Sequence, residues 1–212
     1  MLILDAGTEI KPQTDKLTLS EHHGKNIATG KAVCDAEDIF SKAFDLGRTL
    51  SDTQDYIVIG ETIAAGTTTA LGVLIGLGYD AWGKVSGSMP TNPHDLKNET
   101  VKAGLEKAGI TPSKDNDPFD VIAAVGDPML PAVAGVAMGA EVPVVLAGGT
   151  QLASACAIIK ALDPEEITNE EKVVLAGSEL EAILLTSVLD NDEETVRGLL
   201  KRYADRGEIL DR

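Results

Sequence analysis

Two carboxylates in this chain closely follow apolar runs, at positions where parallel strands commonly end. One glycine separates each carboxylate from its run: Glu61 follows Tyr56–Ile59, and Asp127 follows Phe119–Val125. A carboxylate at a strand end can accept or donate a proton, or it can bind sugar hydroxyls. For Asp127, helix capping is at least as good an explanation, because the proline that follows it is typical of a first helical turn.

The loop after Glu61 can bind a phosphate group. Residues 64–69 read AAGTTT, and they supply backbone N–H groups and three hydroxyls at the predicted start of a helix. The candidate residues are Gly66, Thr67, Thr68 and Thr69. The loop has neither the Gly-Lys-Ser/Thr ending of a nucleoside-triphosphate P-loop nor the GxGxxG spacing of a dinucleotide site. Tight packing of small residues between a helix and a strand is the alternative.

Two lysines and a second glycine-rich turn complete the set of candidates. Lys84 and Lys97 bracket a long loop, and either ammonium can neutralise a phosphate, although most lysines are solvated surface residues. Gly148, Gly149 and Thr150 follow the clearest predicted strand, Val142–Ala147, and repeat the turn chemistry found after Glu61.

The overall charge restricts the class of partner. The 212 residues carry a formal net charge of −16, which argues against nucleic acid or an anionic membrane surface as a partner. Two uncharged windows approach the length of a membrane span, but glycine-rich turns and successive threonines interrupt them. We therefore expect no membrane-spanning segment.

Few residues suggest a metal, a cofactor or a disulfide. Cys34 and Cys156 lie far apart, which fits a reducing cytoplasmic setting, and no basic-then-apolar leader opens the chain. His22 and His23 are adjacent in an extended segment and point to opposite faces, so the pair alone is not expected to bind a metal. We expect no cofactor.

Strands and helices alternate along the chain, which predicts an α/β fold with a doubly wound parallel sheet in a single domain. Right-handed crossovers place the turns after the strands at one edge of the sheet, where they would line one cleft. The predicted strands are Leu2–Leu4, Tyr56–Ile59, Phe119–Val125, Val142–Ala147 and Lys172–Ala176, and the length and β-branching of Tyr56–Ile59 indicate a buried strand. The polar segment Thr8–Lys31 is predicted to be a loop. The predicted helices are one that Asp35 caps and that runs to about Leu50, Ala70–Leu77 after the turn Gly66–Thr69, Met129–Gly139, Leu152–Leu162 and a last helix capped by Asp192. A further helix, capped by Asn92 or Asp95, runs to about Ala108 and has Val101, Leu105 and Ala108 on its inward face, and Leu180–Val188 is left open between strand and helix.

Four segments, in order, resemble one enzyme family. They are GETIAAGTTTALGVLIGLGYDA, GKVSGSMPTNPHDLK, VGDPMLPAVAGVAMGA and PVVLAGGTQLASACAIIKAL. Together they are similar to the archaeal-type relatives of nicotinate-nucleotide–dimethylbenzimidazole phosphoribosyltransferase, from the cobalamin lower-ligand pathway. The resemblance implies a Rossmann-like large domain over residues 1–212, with a small helical domain largely missing, and usually a homodimer.

The resemblance also implies a reaction and roles for residues. The family transfers the phosphoribosyl group of nicotinate mononucleotide to an aromatic base of the benzimidazole type. By similarity, Glu61 lines the site, Gly66–Thr69 lies by the nucleotide, Lys97 lies near the phosphate, and Gly148 and Gly149 form the later turn. The loop that carries Lys84 varies within the family.

The family's catalytic glutamate lies in a C-terminal segment of the kind EGVGAGG, and nothing after Gly177 resembles it. The resemblance therefore predicts a chain that lacks the N- and C-terminal parts of the family. Two functions follow: phosphoribosyl transfer for cobalamin lower-ligand synthesis, or a non-catalytic nucleotide-binding or assembly module that retains the scaffold. In the first, Glu61 is the candidate base, or a partner chain supplies the carboxylate.

Overall fold

A computed structural model describes residues 1–87, 91–164 and 173–176. Its strands are β1 (Leu4–Asp5), β2 (Leu17–Thr18), β3 (Ile57–Ile59), β4 (Val144–Ala147) and β5 (Val173–Ala176). Its α-helices are α1 (Ala36–Ser51), α2 (Gly66–Gly76), α3 (His94–Ala108), α4 (Pro118–Val125), α5 (Met129–Gly139) and α6 (Thr150–Leu162), and a 3₁₀ turn covers Ile27–Thr29.

The larger sheet is parallel and has the strand order β3-β4-β5. Ile57 pairs with Val144 and packs against the core, whereas its neighbour Val58 points to the opposite face and is 52% exposed. The prediction of a fully buried strand was therefore wrong for Tyr56 and Val58. β1 and β2 form a separate parallel pair.

The core is aliphatic and centres on α2. Every residue from Thr69 to Gly76 is buried, because this helix is uncharged on all faces and contacts α3, α4 and α6. α1 and α5 pack tightly together through small residues: a Cβ added at Gly139 would lie 2.0 Å from the carbonyl oxygen of Phe44. Only glycine permits that approach.

The segment Phe119–Val125, predicted as a strand, belongs to helix α4, so that prediction was wrong. Asp117 caps the helix by accepting a hydrogen bond from the Phe119 backbone N–H at 2.7 Å, and Pro118 occupies the first turn. A short apolar run has no periodicity that separates a strand from a buried helix, and these start signals decide in favour of the helix.

Two smaller predictions were also wrong. Asp35 precedes α1 but makes no side-chain capping hydrogen bond, and Ala108, predicted on the inward face of α3, is exposed. The predicted loop over Thr8–Lys31 contains β2 and the 3₁₀ turn.

The remaining described helices and the strands β4 and β5 are confirmed to within a few residues. The predicted fold class, α/β with a parallel sheet flanked by helices, is confirmed. Leu180–Val188, the helix after Asp192 and the turn Gly177–Leu180 lie outside the described residues. Within the described ranges, no helix has the length and apolar character that a membrane crossing requires.

Candidate functional site

Glu61 lies in the loop between β3 and α2, and it has a buried oxygen that is not hydrogen-bonded. Its Oε2 atom has no hydrogen-bond partner among the described residues, and burial raises the pKa of the side chain. An unpaired buried acceptor of this kind costs free energy, so it indicates a position where a ligand or a proton is bound.

The loop ends in a strained turn. Ala65 has φ +59°, in the left-handed region that residues with a Cβ seldom adopt, and no side chain caps the helix that begins at the next residue. A Cβ at Gly66 would lie 2.3 Å from Ile63 and 2.9 Å from Gln151, so this turn closely approaches the start of α6. The N-termini of α2 and α6 therefore lie together, and neither has a side-chain cap.

Asp127 is held at the junction of α4 and α5 rather than at a strand end. Its Oδ1 atom accepts a hydrogen bond from the Met129 backbone N–H at 3.0 Å, which satisfies the first turn of α5 as the capping hypothesis predicted. Its Oδ2 atom accepts a short hydrogen bond from the Thr69 hydroxyl, which also lies 2.9 Å from the carbonyl oxygen of Gly66. The two candidate segments, 58 positions apart at this contact, meet here.

The surroundings of Asp127 favour its protonated form. Burial raises its pKa to about 6, against the hydrogen bonds from Thr69 and from the backbone of α5, and the nearby Glu61 carboxylate adds to the rise. Asp127 can therefore gain or lose a proton close to neutral pH. Its charge depends on whether Glu61 is ionised, protonated or in contact with a ligand.

Lys97, on α3, is a buried lysine. Its side chain is 6% exposed, its Nζ atom donates a hydrogen bond to the Ser86 carbonyl oxygen at 2.6 Å, and burial lowers its pKa. No carboxylate of the described residues lies within ion-pair distance of it. The same Ser86 donates its backbone N–H to the Thr150 hydroxyl at 3.1 Å, so Lys97 is linked to the start of α6.

Sequence reasoning missed several polar groups near this lysine. Ser86 was not singled out, and neither were His94 and Asn98, which have buried side-chain atoms without hydrogen-bond partners among the described residues. Asn92, considered only as a helix cap, has a similarly unpaired Oδ1 and donates its amide to the Val85 carbonyl oxygen at 2.8 Å. The signal was present in the long loop, where Asn-Pro-His immediately precedes the predicted helix.

The predicted site residues therefore fall into three groups. One group surrounds the Thr69–Asp127 contact, and another surrounds Ser86 with Lys97 and Thr150. The third group has no described contact with either: Thr67 and Thr68 are half-buried in the first turn of α2, and Gly148 and Gly149 form the turn before α6.

Lys84 belongs to that third group. Its ammonium pairs with Asp80 at 2.9 Å on the same turn, and it also donates to the Asp80 carbonyl oxygen at 2.6 Å. Its predicted role at a phosphate stays a prediction.

These features define a class: a parallel α/β protein in which the uncapped N-termini of two helices lie together. The buried Asp127 contacts the first of these helices, the half-buried Glu61 lies in the loop before it, and the buried Lys97 is linked through Ser86 to the second. The profile of a phosphoribosyltransferase family matches residues 1–169. The chain belongs to this family, the nicotinate-nucleotide–dimethylbenzimidazole phosphoribosyltransferases, as the sequence resemblance indicated.

Curated relatives agree with this assignment. The chain is 50% identical over 165 residues to a UPF0284 protein of Methanothermobacter thermautotrophicus, covering 77% of this chain and 46% of that protein. It is 37% identical over 207 residues to a UPF0284 protein of Methanocaldococcus jannaschii, covering 96% of this chain and 56% of that protein. The chain thus spans about half the length of these relatives.

The fold also matches a solved structure. The crystal structure of nicotinate-nucleotide-dimethylbenzimidazole phosphoribosyltransferase from Thermus thermophilus has a TM-score of 0.70 and 20% identity to this chain. The match covers 90% of this chain and 58% of that one, so it establishes the shared architecture.

Proposed function

We propose that this chain binds nicotinate mononucleotide and contributes to transfer of its phosphoribosyl group to a benzimidazole-type base. Membership of the family supports the reaction class. The observation that carries the proposal is Lys97, a buried ammonium that donates to one carbonyl and has no carboxylate partner among the described residues. In a chain of net charge −16, a buried cation without a carboxylate partner favours an anionic ligand such as a phosphate.

The two ends of the proposed site would bind different parts of the nucleotide. The phosphate would lie between Lys97 and the uncapped N-termini of α2 and α6, whose backbone N–H groups and partial positive charge favour an anion. The ribose and the bases would then lie towards Glu61 and Asp127. Ser86 and Thr150 fix the position of Lys97 and of the start of α6.

The transfer requires a proton acceptor. A ring nitrogen of the incoming base attacks C1′ of the ribose, the bond from C1′ to the nicotinate nitrogen breaks with its electron pair going to nicotinate, and the second ring nitrogen of the base loses its proton. The sugar passes through a cationic state that nearby carboxylates stabilise. Glu61 has a free oxygen and a raised pKa, which suits it to line this site and to accept that proton.

A binding experiment tests the nucleotide site. Calorimetric titration with nicotinate mononucleotide should show binding to the wild type, and Lys97→Met should weaken it about 10- to 100-fold, because a charge-assisted hydrogen bond is lost. Lys107→Met is the matched control: this lysine also lies on α3 and donates to a backbone carbonyl, that of Ala28, but it is exposed. No binding to the wild type, or equal losses in both variants, would contradict the site.

A second assay separates transfer from binding alone. The full chain, nicotinate mononucleotide and dimethylbenzimidazole are incubated together, and the nucleotide product is measured by chromatography. Product that Glu61→Gln reduces at least tenfold supports transfer by this chain; nucleotide binding without product supports the non-catalytic module instead.

We also propose that the chain forms a cytoplasmic homodimer or a higher homo-oligomer. Tyr56 and Val58 leave apolar surface exposed along β3, which favours association with a further chain. Light scattering coupled to size exclusion should give a mass of at least twice the 22.2 kDa of the chain.

A further inference from the structure

Three side chains of different chemistry come together away from the site described above. One ligand atom each from His22, Cys34 and Asp35 lies within 4.8 Å of the other two. His22 and Cys34 are exposed, and Asp35 is half-buried at the start of α1. His22 is next to His23 in sequence, and the fold places its side chain beside Cys34 and Asp35.

Asp35 is oriented towards this cluster rather than towards its own helix. An aspartate directly before a helix usually accepts a hydrogen bond from the first turn, which contributes about 1 kcal/mol. Asp35 makes no such bond: its Oδ2 accepts from the Ser20 hydroxyl at 2.5 Å, and its Oδ1 lies 3.8 Å from the Cys34 sulfur. The carboxylate is therefore held where it can act as a ligand.

Ser20 also positions His22. The buried Ser20 hydroxyl accepts the backbone N–H of His22 at 2.9 Å while it donates to Asp35, so one residue connects two of the three side chains. The loop is attached on both sides, by Lys42 to the Leu19 carbonyl oxygen at 3.0 Å and by the Lys25 N–H to the Ala32 carbonyl oxygen at 2.8 Å. Supporting hydrogen bonds of this kind orient ligands in metal sites.

The donor set selects the kind of metal. Thiolate, imidazole and carboxylate are the ligands of zinc, whereas calcium and magnesium take oxygen ligands alone. In a tetrahedral zinc site, bonds of about 2.0–2.3 Å place neighbouring ligand atoms about 3.3–3.6 Å apart. Rotation of exposed side chains closes the present separations of up to 4.8 Å to that distance.

The alternative, a reactive nucleophilic cysteine, fits the surroundings less well. Reactive cysteines lie beside cations that stabilise the thiolate, whereas the hydrogen-bond partner of the Cys34 thiol is the Asp35 carboxylate. A divalent cation resolves the repulsion between a thiolate and a carboxylate, and the strongly negative chain attracts it.

We propose that His22, Cys34 and Asp35 form a binding site for Zn²⁺ or a similar divalent transition metal, with three protein ligands and one open position. The site joins the N-terminal loop to α1. The same loop packs against Pro128, since a Cβ at Gly24 would lie 3.0 Å from that ring, and Pro128 follows Asp127. The metal would therefore stabilise the part of the chain that lies next to the candidate nucleotide site.

Titration of the full reduced chain with Co²⁺ tests the proposal, because a cobalt–thiolate bond gives a near-ultraviolet charge-transfer absorption. The wild type should bind one Co²⁺ per chain with this absorption, and Zn²⁺ should displace it. Cys34→Ser should abolish the absorption, and His22→Ala should weaken binding at least about 10- to 100-fold. His23→Ala and Cys156→Ala are matched controls and should leave the absorption and the affinity for Co²⁺ unchanged.

A second measurement on the unmodified protein does not depend on the folding of a variant. Bound Zn²⁺ should slow alkylation of Cys34 at least tenfold, and a chelator should restore the rate. Absence of the absorption together with unprotected Cys34, or an equal effect of His23→Ala and His22→Ala, would overturn the proposal.

Discussion

Asp5 and Asp127 are both almost completely buried, and their surroundings move their pKa values in opposite directions. Asp5 closes a turn near the N-terminus: its Oδ1 accepts hydrogen bonds from the Gly7 N–H, the Thr8 N–H and the Thr8 hydroxyl at 2.8–3.1 Å. The Lys11 ammonium lies 3.2 Å from the other oxygen. Burial alone would raise the pKa of Asp5, but these donors and the cation outweigh it and lower the pKa to about 2.

Asp127 lies deeper in the fold than Asp5, and no cation of the described residues forms an ion pair with it. Its donors are one hydroxyl and backbone N–H groups of α5, and its charged neighbour is another carboxylate, Glu61, so burial dominates and its pKa rises to about 6. This difference separates a buried carboxylate that stabilises the fold from one that can exchange a proton. A carboxylate whose charge is fully compensated stabilises the fold, whereas one left partly uncompensated can exchange a proton near neutral pH.

Removal of the Asp5 carboxylate should have the largest effect on stability. Asp5→Ala should lower the free energy of unfolding at pH 7 by about 3 kcal/mol, because three donors lose their acceptor and Lys11 loses one of its two carboxylate partners, Glu21 being the other. Asp5→Asn, which keeps an acceptor, should cost about half as much. Urea denaturation measures both, and a loss below about 1 kcal/mol in the alanine variant would contradict the assigned role.

Asp127 should make stability depend on pH in the opposite sense from Asp5. Its folded pKa of about 6 exceeds the ordinary value of 3.8, so the folded state binds more protons between these values, and stability falls as the pH rises through this range. From pH 4 to pH 8 this group should cost the wild type about 2–3 kcal/mol. The depressed pKa of Asp5 instead contributes stability that is present above pH 3.8 and is lost as the pH falls towards 2.

The substitution Asp127→Asn isolates the contribution of Asp127. Urea denaturation of both proteins from pH 4 to pH 8 gives the difference between their unfolding free energies. As the pH rises, the wild type should lose stability relative to the variant. The Asp5 contribution is common to both proteins and cancels. A difference that does not change with pH would show that Asp127 titrates at its ordinary value.

Removal of the Thr69 hydroxyl should have a smaller effect on stability than the substitutions of Asp5 and Asp127. The hydroxyl lowers the pKa of Asp127, so Thr69→Val should destabilise the protein by about 1 kcal/mol at pH 8 and by less at pH 5. Thr69→Ser keeps the hydroxyl and should restore the pH dependence of the wild type. Equal losses at both pH values would point to packing rather than to the charge of Asp127.

Lys84 should give the smallest change. Its ion pair with Asp80 is solvent-exposed, unlike the pair of Lys11 with the buried Asp5. Lys84→Ala should therefore alter the free energy of unfolding by less than about 0.5 kcal/mol. A loss above 1 kcal/mol in thermal or urea unfolding would show that solvent exposure does not make the Lys84–Asp80 pair weaker than the Lys11–Asp5 pair.

Much of the fold could be predicted from local pattern. Val142–Ala147 is β-branched and apolar between turn residues, and the uncharged run after Gly66 is hydrophobic on every face, so β4 and α2 were predicted at nearly their observed positions. The run Phe119–Val125 was misread because its length and composition suit either element, and the helix start at Asp117 and Pro118 decided it.

The chemistry of single residues followed less well from sequence, because it depends on neighbours distant along the chain. Glu61, Asp127 and Lys97 were identified as candidates from residue type and position alone. Three contacts became visible only in the packing of α2, α3 and the N-terminal loop. Asp127 accepts a hydrogen bond from Thr69, the buried Lys97 donates to Ser86, and His22 lies beside Cys34.

The sequence by itself determined the alternation of strands and helices, the small-residue turns and the family, because propensity, periodicity and motif order are local properties of the chain. Tertiary structure alone decided which of two buried aspartates has a lowered pKa and which has a raised one. A pKa depends on burial and on the charges within a few ångströms, and for Asp127 those come from segments far apart in sequence.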